Sequence, residues 1–125
     1  MKYLFDSNII ILTVMAMNDA LRQRLANCDE GDIATSAVAY AEVAYGTAAG
    51  RPPKADQLRA FIEEVPVLSF DLKAAQAYAT LPFKRASFDR LIAAHALSHD
   101  LIVVTDNEAD FADIPDLKVE NWAKP

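Results

Sequence analysis

The chain has 125 residues, 53% of them hydrophobic and 24% charged, which suits one compact domain with a real core and leaves no room for a second. Its formal charge of −6 argues against a basic surface that coats nucleic acid non-specifically, but it is compatible with an acidic site that gathers divalent cations. The lone cysteine, Cys28, can close no internal disulfide and lacks the partners of a zinc site, so a reducing cytosol is expected over secretion.

Tyr3 to Phe5 is a short apolar run ended by Asp-Ser-Asn, the pattern of a buried parallel strand, with Asp6 at its C-terminal end. Helical signals follow from about Asn8 to Met17 and from Asp19 to about Asn27. Thr13 interrupts the apolar stretch Ile9 to Met17, which falls far short of the ~20 residues that span a bilayer. It reads as buried helix, with a dimer surface as a second use. Asp6 and Asn8 break the apolar segment that a signal peptide needs. Asp32 to Thr35 is a second short strand, and Ser36 caps a helix reaching about Ala49, where Gly50 and Pro52-Pro53 end it. A helix from about Lys54 to Glu64 leads to Val65 to Phe70, where Pro66 confines any strand to a short edge position. Asp71 to Leu81 reads as helix stopped by Pro82, and Ser87 caps another ending near His99. Leu101 to Thr105 is the clearest strand, and Lys118 to Asn121 is a last one. Strands alternating with helices predict an α/β fold with a mostly parallel sheet covered on both faces.

Four acids stand out. Asp6 and Asp106 both terminate apolar strands, on the side where open parallel sheets bind ligands. If the first and fourth strands are neighbours, the two stand side by side. Glu42 is the only charged residue between Ala37 and Ala49, and a carboxylate among apolar and small residues must reach water, a partner or a cation. Gly46, one turn later, leaves space for a ligand or for close helix packing. Asp89 lies in the first turn after the Ser87 cap, ahead of the apolar run Leu91 to Leu97; the helix dipole alone gives a sufficient reason for it. Capping and turn chemistry likewise explain Asp6 and Asp106 taken singly. Convergence of all four would raise their pKa values unless a cation neutralised them, and oxygen-only ligation suits Mg²⁺ or Mn²⁺.

The segments Leu4-Phe5-Asp6-Ser7-Asn8, Ala41-Glu42-Val43-Ala44-Tyr45-Gly46, Phe88-Asp89-Arg90-Leu91-Ile92-Ala93-Ala94-His95-Ala96-Leu97 and Val104-Thr105-Asp106-Asn107 through Phe111 resemble, in order and spacing, the four acidic motifs of PIN-domain proteins, particularly VapC-type toxins of bacterial toxin-antitoxin pairs. The resemblance implies an α/β/α sandwich around a five-stranded parallel sheet and Mg²⁺- or Mn²⁺-dependent cleavage of tRNA, ribosomal RNA or messenger RNA. It also implies dimerisation and inhibition by a cognate VapB-type antitoxin. Two departures are a compressed stretch from Pro82 to Ser87 and Phe88 in front of Asp89, where many relatives carry a polar residue.

On this reading Asp6, Glu42, Asp89 and Asp106 hold one or two cations, and a water whose pKa the cation lowers attacks the phosphate in line. Ser7, Asn8, Thr105 and Asn107 are candidates to orient the carboxylates, with turn chemistry as the alternative. Lys84, Arg85 and Arg90 flank the third motif and are candidates to meet RNA phosphates, with a solvated charged edge as the alternative. His95 and His99 are i,i+4 on one helix, but no Glu follows His95 and no third ligand is evident, so both read as structural. Tyr40 and Tyr45 read as core or interface residues and not as stacking platforms. Two other readings compete: an acidic-pocket phosphohydrolase, against which the first strand lacks the second Asp of an Asp-x-Asp motif, and a catalytically silent partner-binding domain.

Overall fold

The computed structural model describes residues 1–125. Its elements in order are β1 (Tyr3–Phe5), α1 (Ser7–Val14), α2 (Asp19–Ala26), β2 (Ile33–Ser36), α3 (Ala37–Ala48), α4 (Ala55–Glu64), β3 (Val67–Leu68), α5 (Leu72–Tyr78), α6 (Phe88–His99), β4 (Ile102–Val104), a 3-10 turn at Glu108–Phe111, and β5 (Val119–Glu120). All five strands pair in parallel, in the order β3-β2-β1-β4-β5. The strand carrying Pro66 is short and lies at one edge, as the missing amide donor requires.

Successive strand residues point to opposite faces, yet Leu4 and Phe5 of β1 and Val103 and Val104 of β4 are all fully buried. Both faces of the sheet are therefore covered, which gives three layers. Each such side chain contributes roughly 1.5–3 kcal/mol of burial free energy. Trp122 closes the core near β1, its ring set edge-on to Tyr3 at 4.7 Å and to Phe5 at 5.6 Å.

The first helix ends earlier than its apolar run suggests, at Val14 and not near Met17. Asn18 must take extended backbone to cap α2, where its side chain accepts from the Leu21 amide, so the chain turns first, with Ala16 at φ 50°. Ile9 and Ile10 lie in the core, and Ile11, Leu12 and Val14 pack against it. This apolar stretch serves the protein's own interior through Ile9 and Ile10, while Met17 at its end is 69% exposed. No helix is long and apolar enough to cross a membrane.

The chain changes direction around β1, which has β2 on one side and β4 on the other. Crevices at such points bind ligands in open parallel sheets. The register Phe5↔Val104 brings Asp6 and Thr105 out side by side at the C-terminal edge, and the Asp6 amide donates to the Val104 carbonyl.

Candidate metal centre

Asp6 sits where β1 becomes α1. Its backbone is extended, and its Oδ1 caps the helix by accepting from the Ile9 amide at 3.0 Å. The capping role expected of it is thus present, but it does not account for the burial: the residue is 5% exposed. Burial pushes the carboxyl up to about 6, against the pull of the Thr105 hydroxyl and the Ile9 amide, and the charges of Asp106 and Glu42 add to the rise. Thr105 is fully buried and accepts the Asn107 amide at 3.0 Å, leaving its own hydrogen free for Asp6.

Asp106 ends β4 and is exposed, its Oδ2 accepting from Asn8 Nδ2 at 2.5 Å. Asn8 therefore ties the β1 exit to the β4 exit. Glu42 projects from α3, a helix that starts at this edge because Ser36 caps it, its hydroxyl accepting from Val38 at 3.0 Å. Burial raises the Glu42 carboxyl, opposed by the Ser7 hydroxyl, and its Oε1 is buried with no hydrogen-bond partner. Asp89 follows the Ser87 cap on α6. Burial comes first in pushing it to about 6, followed by the hydrogen bond and charge of Asp110 and then the charges of Asp6 and Glu42.

The four carboxylates thus share one electrostatic neighbourhood, and Asp110 joins them from the 3-10 turn. Asp110 escaped the sequence reading. Its signal was one turn of spacing from Asp106, ahead of the buried Phe111. Asn107 orients this fifth acid, donating to Asp110 Oδ2 at 2.7 Å, and not any of the four for which it was a candidate.

No three of these side chains are drawn tightly enough to form a ready-made cage. The donor set nevertheless fits a hard divalent cation. It is all oxygen, it mixes buried with half-exposed carboxylates whose charges raise the pKa of Asp6 and Asp89, and one buried Glu42 oxygen lacks any partner.

The three basic candidates divide. Lys84 and Arg85 border a cavity of about 350 Å³ that also touches Asp89 and Asp110. Lys84 reaches Asp113 at 3.7 Å, and Arg85 makes no ion pair. Arg90 requires correction as an RNA-phosphate contact. Its side chain is 4% exposed, its guanidinium pairs with Asp113 at 3.0 Å, and it donates to the Pro82 carbonyl. A cation committed to two internal acceptors is a clamp, holding the loop before α6 to the segment after the 3-10 turn.

His95 is fully buried, its Nδ1 2.8 Å from the Ser36 hydroxyl and its ring edge-on to Phe70. It bridges α6 to the cap of α3, the two helices that carry Asp89 and Glu42. Burial, then the charge of His99, depresses its pKa below the usual imidazole value. Of the two tyrosines, Tyr40 packs against the core, whereas Tyr45 is 75% exposed and belongs to no interior. Gly46 does admit a close neighbour, the Arg51 guanidinium; a Cβ there would lie 3.4 Å from Nε.

The PIN domain family model matches residues 3–117. The tRNA(fMet)-specific endonuclease VapC of Shigella flexneri is 30% identical across 98% of this chain and 99% of its own length. Ribonuclease VapC2 of Rickettsia felis is 28% identical across 99% of this chain and 100% of its own. Among solved structures, VapBC2 from Rickettsia felis bound to a DNA fragment from their promoter superposes with a TM-score of 0.82 at 27% identity, covering 98% of this chain and 99% of that one. VapBC-1 from nontypeable Haemophilus influenzae gives 0.80 at 28% identity, covering 99% and 100%.

Proposed function

The chain belongs to the PIN-domain family, and we propose that it acts as a VapC-type endoribonuclease whose cation-binding groups are Asp6, Glu42, Asp89 and Asp106. The observation that carries the assignment of residues is convergence: Asp6 and Asp106 leave neighbouring strands at one edge, where Asn8 joins their exits, and the charges of Asp106 and Glu42 bear on Asp6 while those of Asp6 and Glu42 bear on Asp89. Acids from four separate parts of the chain gather at a single crevice, and Asp6 and Asp89 register the charges of the others.

When bound, Mg²⁺ or Mn²⁺ supplies charge neutralisation at the phosphate and lowers the pKa of water. The chain's own residues prepare for this. Asp6 and Asp89 hold protons below about pH 6 and release them near neutrality, which makes the site competent for a cation. Asn8 fixes Asp106 and Thr105 bears on Asp6, the kind of support that keeps carboxylates aimed at an ion. Ser7 does the same for Glu42. Lys84 and Arg85 stand at the rim beside Asp89, where a phosphate of bound RNA would pass.

The setting we infer is the cytosol, with a second copy of the chain and a VapB-type antitoxin as partners; the solved VapBC complexes similar to this chain support the latter. The name of the Shigella flexneri relative directs the first substrate test to tRNA(fMet). Wild type and Asp6→Asn are incubated with total cellular RNA and with that tRNA, with Mg²⁺ or EDTA. Cleavage by wild type in Mg²⁺, lost in EDTA and in the variant, is expected. Equal cleavage by both proteins would remove Asp6 from the mechanism and overturn the centre as described.

A further inference from the structure

On the α3 side of the centre lies an open groove of about 480 Å³, lined by Ala41, Glu42, Tyr45, Arg51 and Phe88. Two features of it are unused by the acidic centre. Tyr45 is 75% and Phe88 56% exposed, so two aromatic faces stand in water within reach of a metal-site carboxylate. Arg51 lies over Gly46, makes no ion pair, and also lines a second cleft that holds Ser7 and Glu42.

Rings, an unpaired guanidinium and a neighbouring acidic centre impose conflicting demands on most occupants. An apolar helix face would cover the rings but strand Glu42 and Arg51 in a dry interface at a desolvation cost. A nucleotide satisfies all of them: its base has a flat π face for aromatic stacking, and its phosphate is the anion that an arginine fork recognises. We propose that Tyr45, Phe88 and Arg51 form a subsite for one unpaired nucleotide of RNA adjoining the scissile bond, the base lying on the rings and the neighbouring phosphate on the guanidinium. This rests on the ribonuclease reading above and adds a substrate requirement to it. The nucleotide must be out of a duplex stack, in a loop or single-stranded stretch, for its face to be available.

The test is steady-state cleavage of a short single-stranded RNA spanning the site that wild type cuts. Tyr45→Ala and Phe88→Ala should each raise KM, roughly 5- to 150-fold, the range expected for loss of one base–aromatic stack. The melting temperature, the oligomeric state and the Mg²⁺ concentration for half-maximal rate should stay at wild-type values. Phe88→Trp and Tyr45→Phe should restore KM, which a merely structural role for bulk would not predict for the alanine variants at unchanged melting temperature. Arg51→Ala should flatten the salt dependence of binding by a log-log slope of about 0.7. KM values matching wild type in both alanine variants overturn the subsite. If those variants instead lose self-association with KM unchanged, the rings are a contact between copies and the proposal is also overturned. Failure of the ribonuclease reading is told apart because wild type itself would then cut no RNA, whereas failure of the subsite leaves wild-type cutting intact.

Discussion

On the α6 side of the acidic centre the chain meets charge with charge: Arg90 and Lys84 both reach Asp113, and Asn107 holds Asp110. On the α3 side Glu42 and Arg51 share a groove with two exposed rings, neither has an ionic partner, and one Glu42 oxygen is buried without a hydrogen bond. The protein itself meets most of the first flank's polar groups, Arg85 being the exception. The second is incomplete without a ligand, and the free energy of its unmet groups is available to binding. One centre thus combines a prepared rim with a receptive one.

The largest expected effect concerns the carboxylates between the two flanks. Asp6 goes from the ordinary 3.8 to about 6, chiefly through burial, so the unfolded chain releases this proton at lower pH than the folded one. A folded pKa above the unfolded value stabilises the protein below the unfolded value and loses that contribution as pH rises through the folded one. In the absence of metal, stability should fall between about pH 4 and pH 6 by on the order of 3 kcal/mol from Asp6. Asp89 acts in the same direction and window but contributes less, because water screens a half-exposed group. Urea denaturation of wild type and Asp6→Asn at a series of pH values isolates this contribution. Saturating Mn²⁺ at neutral pH should recover about 2.7 kcal/mol at 100 times its Kd. Because buried His95, with its lowered pKa, contributes with the opposite sign, the comparison is with Asp6→Asn: a wild type and variant with the same pH dependence would mean that Asp6 is already paired, and the contrast between the flanks would vanish.

Arg90→Ala addresses the prepared flank. Removing the guanidinium leaves the Pro82 carbonyl and Asp113 without their donor and should cost about 2–3 kcal/mol, because Asp113 retains some access to water. Tm should drop by roughly 10 °C. RNA affinity per folded molecule should hold. Unchanged Tm with weakened RNA binding would return Arg90 to the substrate surface.

The difficulty of reading Arg90 from sequence shows where legibility ends. Strands, helices and caps rest on local patterns, so Ser36, Asp71 and Ser87 were visible as helix starts, and Asp6 and Asp106 as strand ends. The sequence leaves the pairing of β1 with β4 as a condition suggested by doubly wound sheets; the structure meets it, and with it the first and last acids come together. Arg90 next to an acidic motif looks like a phosphate contact until its partner is known, and that partner lies 23 residues away. Tyr45 suffers the same ambiguity: helical spacing places it beside Glu42 but does not say whether a neighbour covers it. Asp110 went unseen because a 3-10 turn of mixed acids has the composition of an ordinary surface. Long-range partners and exposure decide these three, and neither is encoded in a local window.

The smallest effect separates the two charged residues that remain at the α6 rim. Lys84 is already drawn to Asp113 at 3.7 Å, whereas Arg85 makes no ion pair and borders the same cavity as Asp89. Each phosphate neutralised on a single strand adds about 0.7 to the negative slope of log K against log salt. Arg85→Ala should therefore reduce that slope by nearly this amount. Lys84→Ala should change it less, because Asp113 competes with RNA for the ammonium group. Both should leave stability within about 0.5 kcal/mol of wild type, as exposed substitutions do. Slopes measured by fluorescence anisotropy on a labelled RNA in Ca²⁺ would rank the two residues. A larger loss for Lys84 would show that its ion pair also yields to phosphate, leaving little of this flank closed to a ligand and ending the division drawn between the two sides.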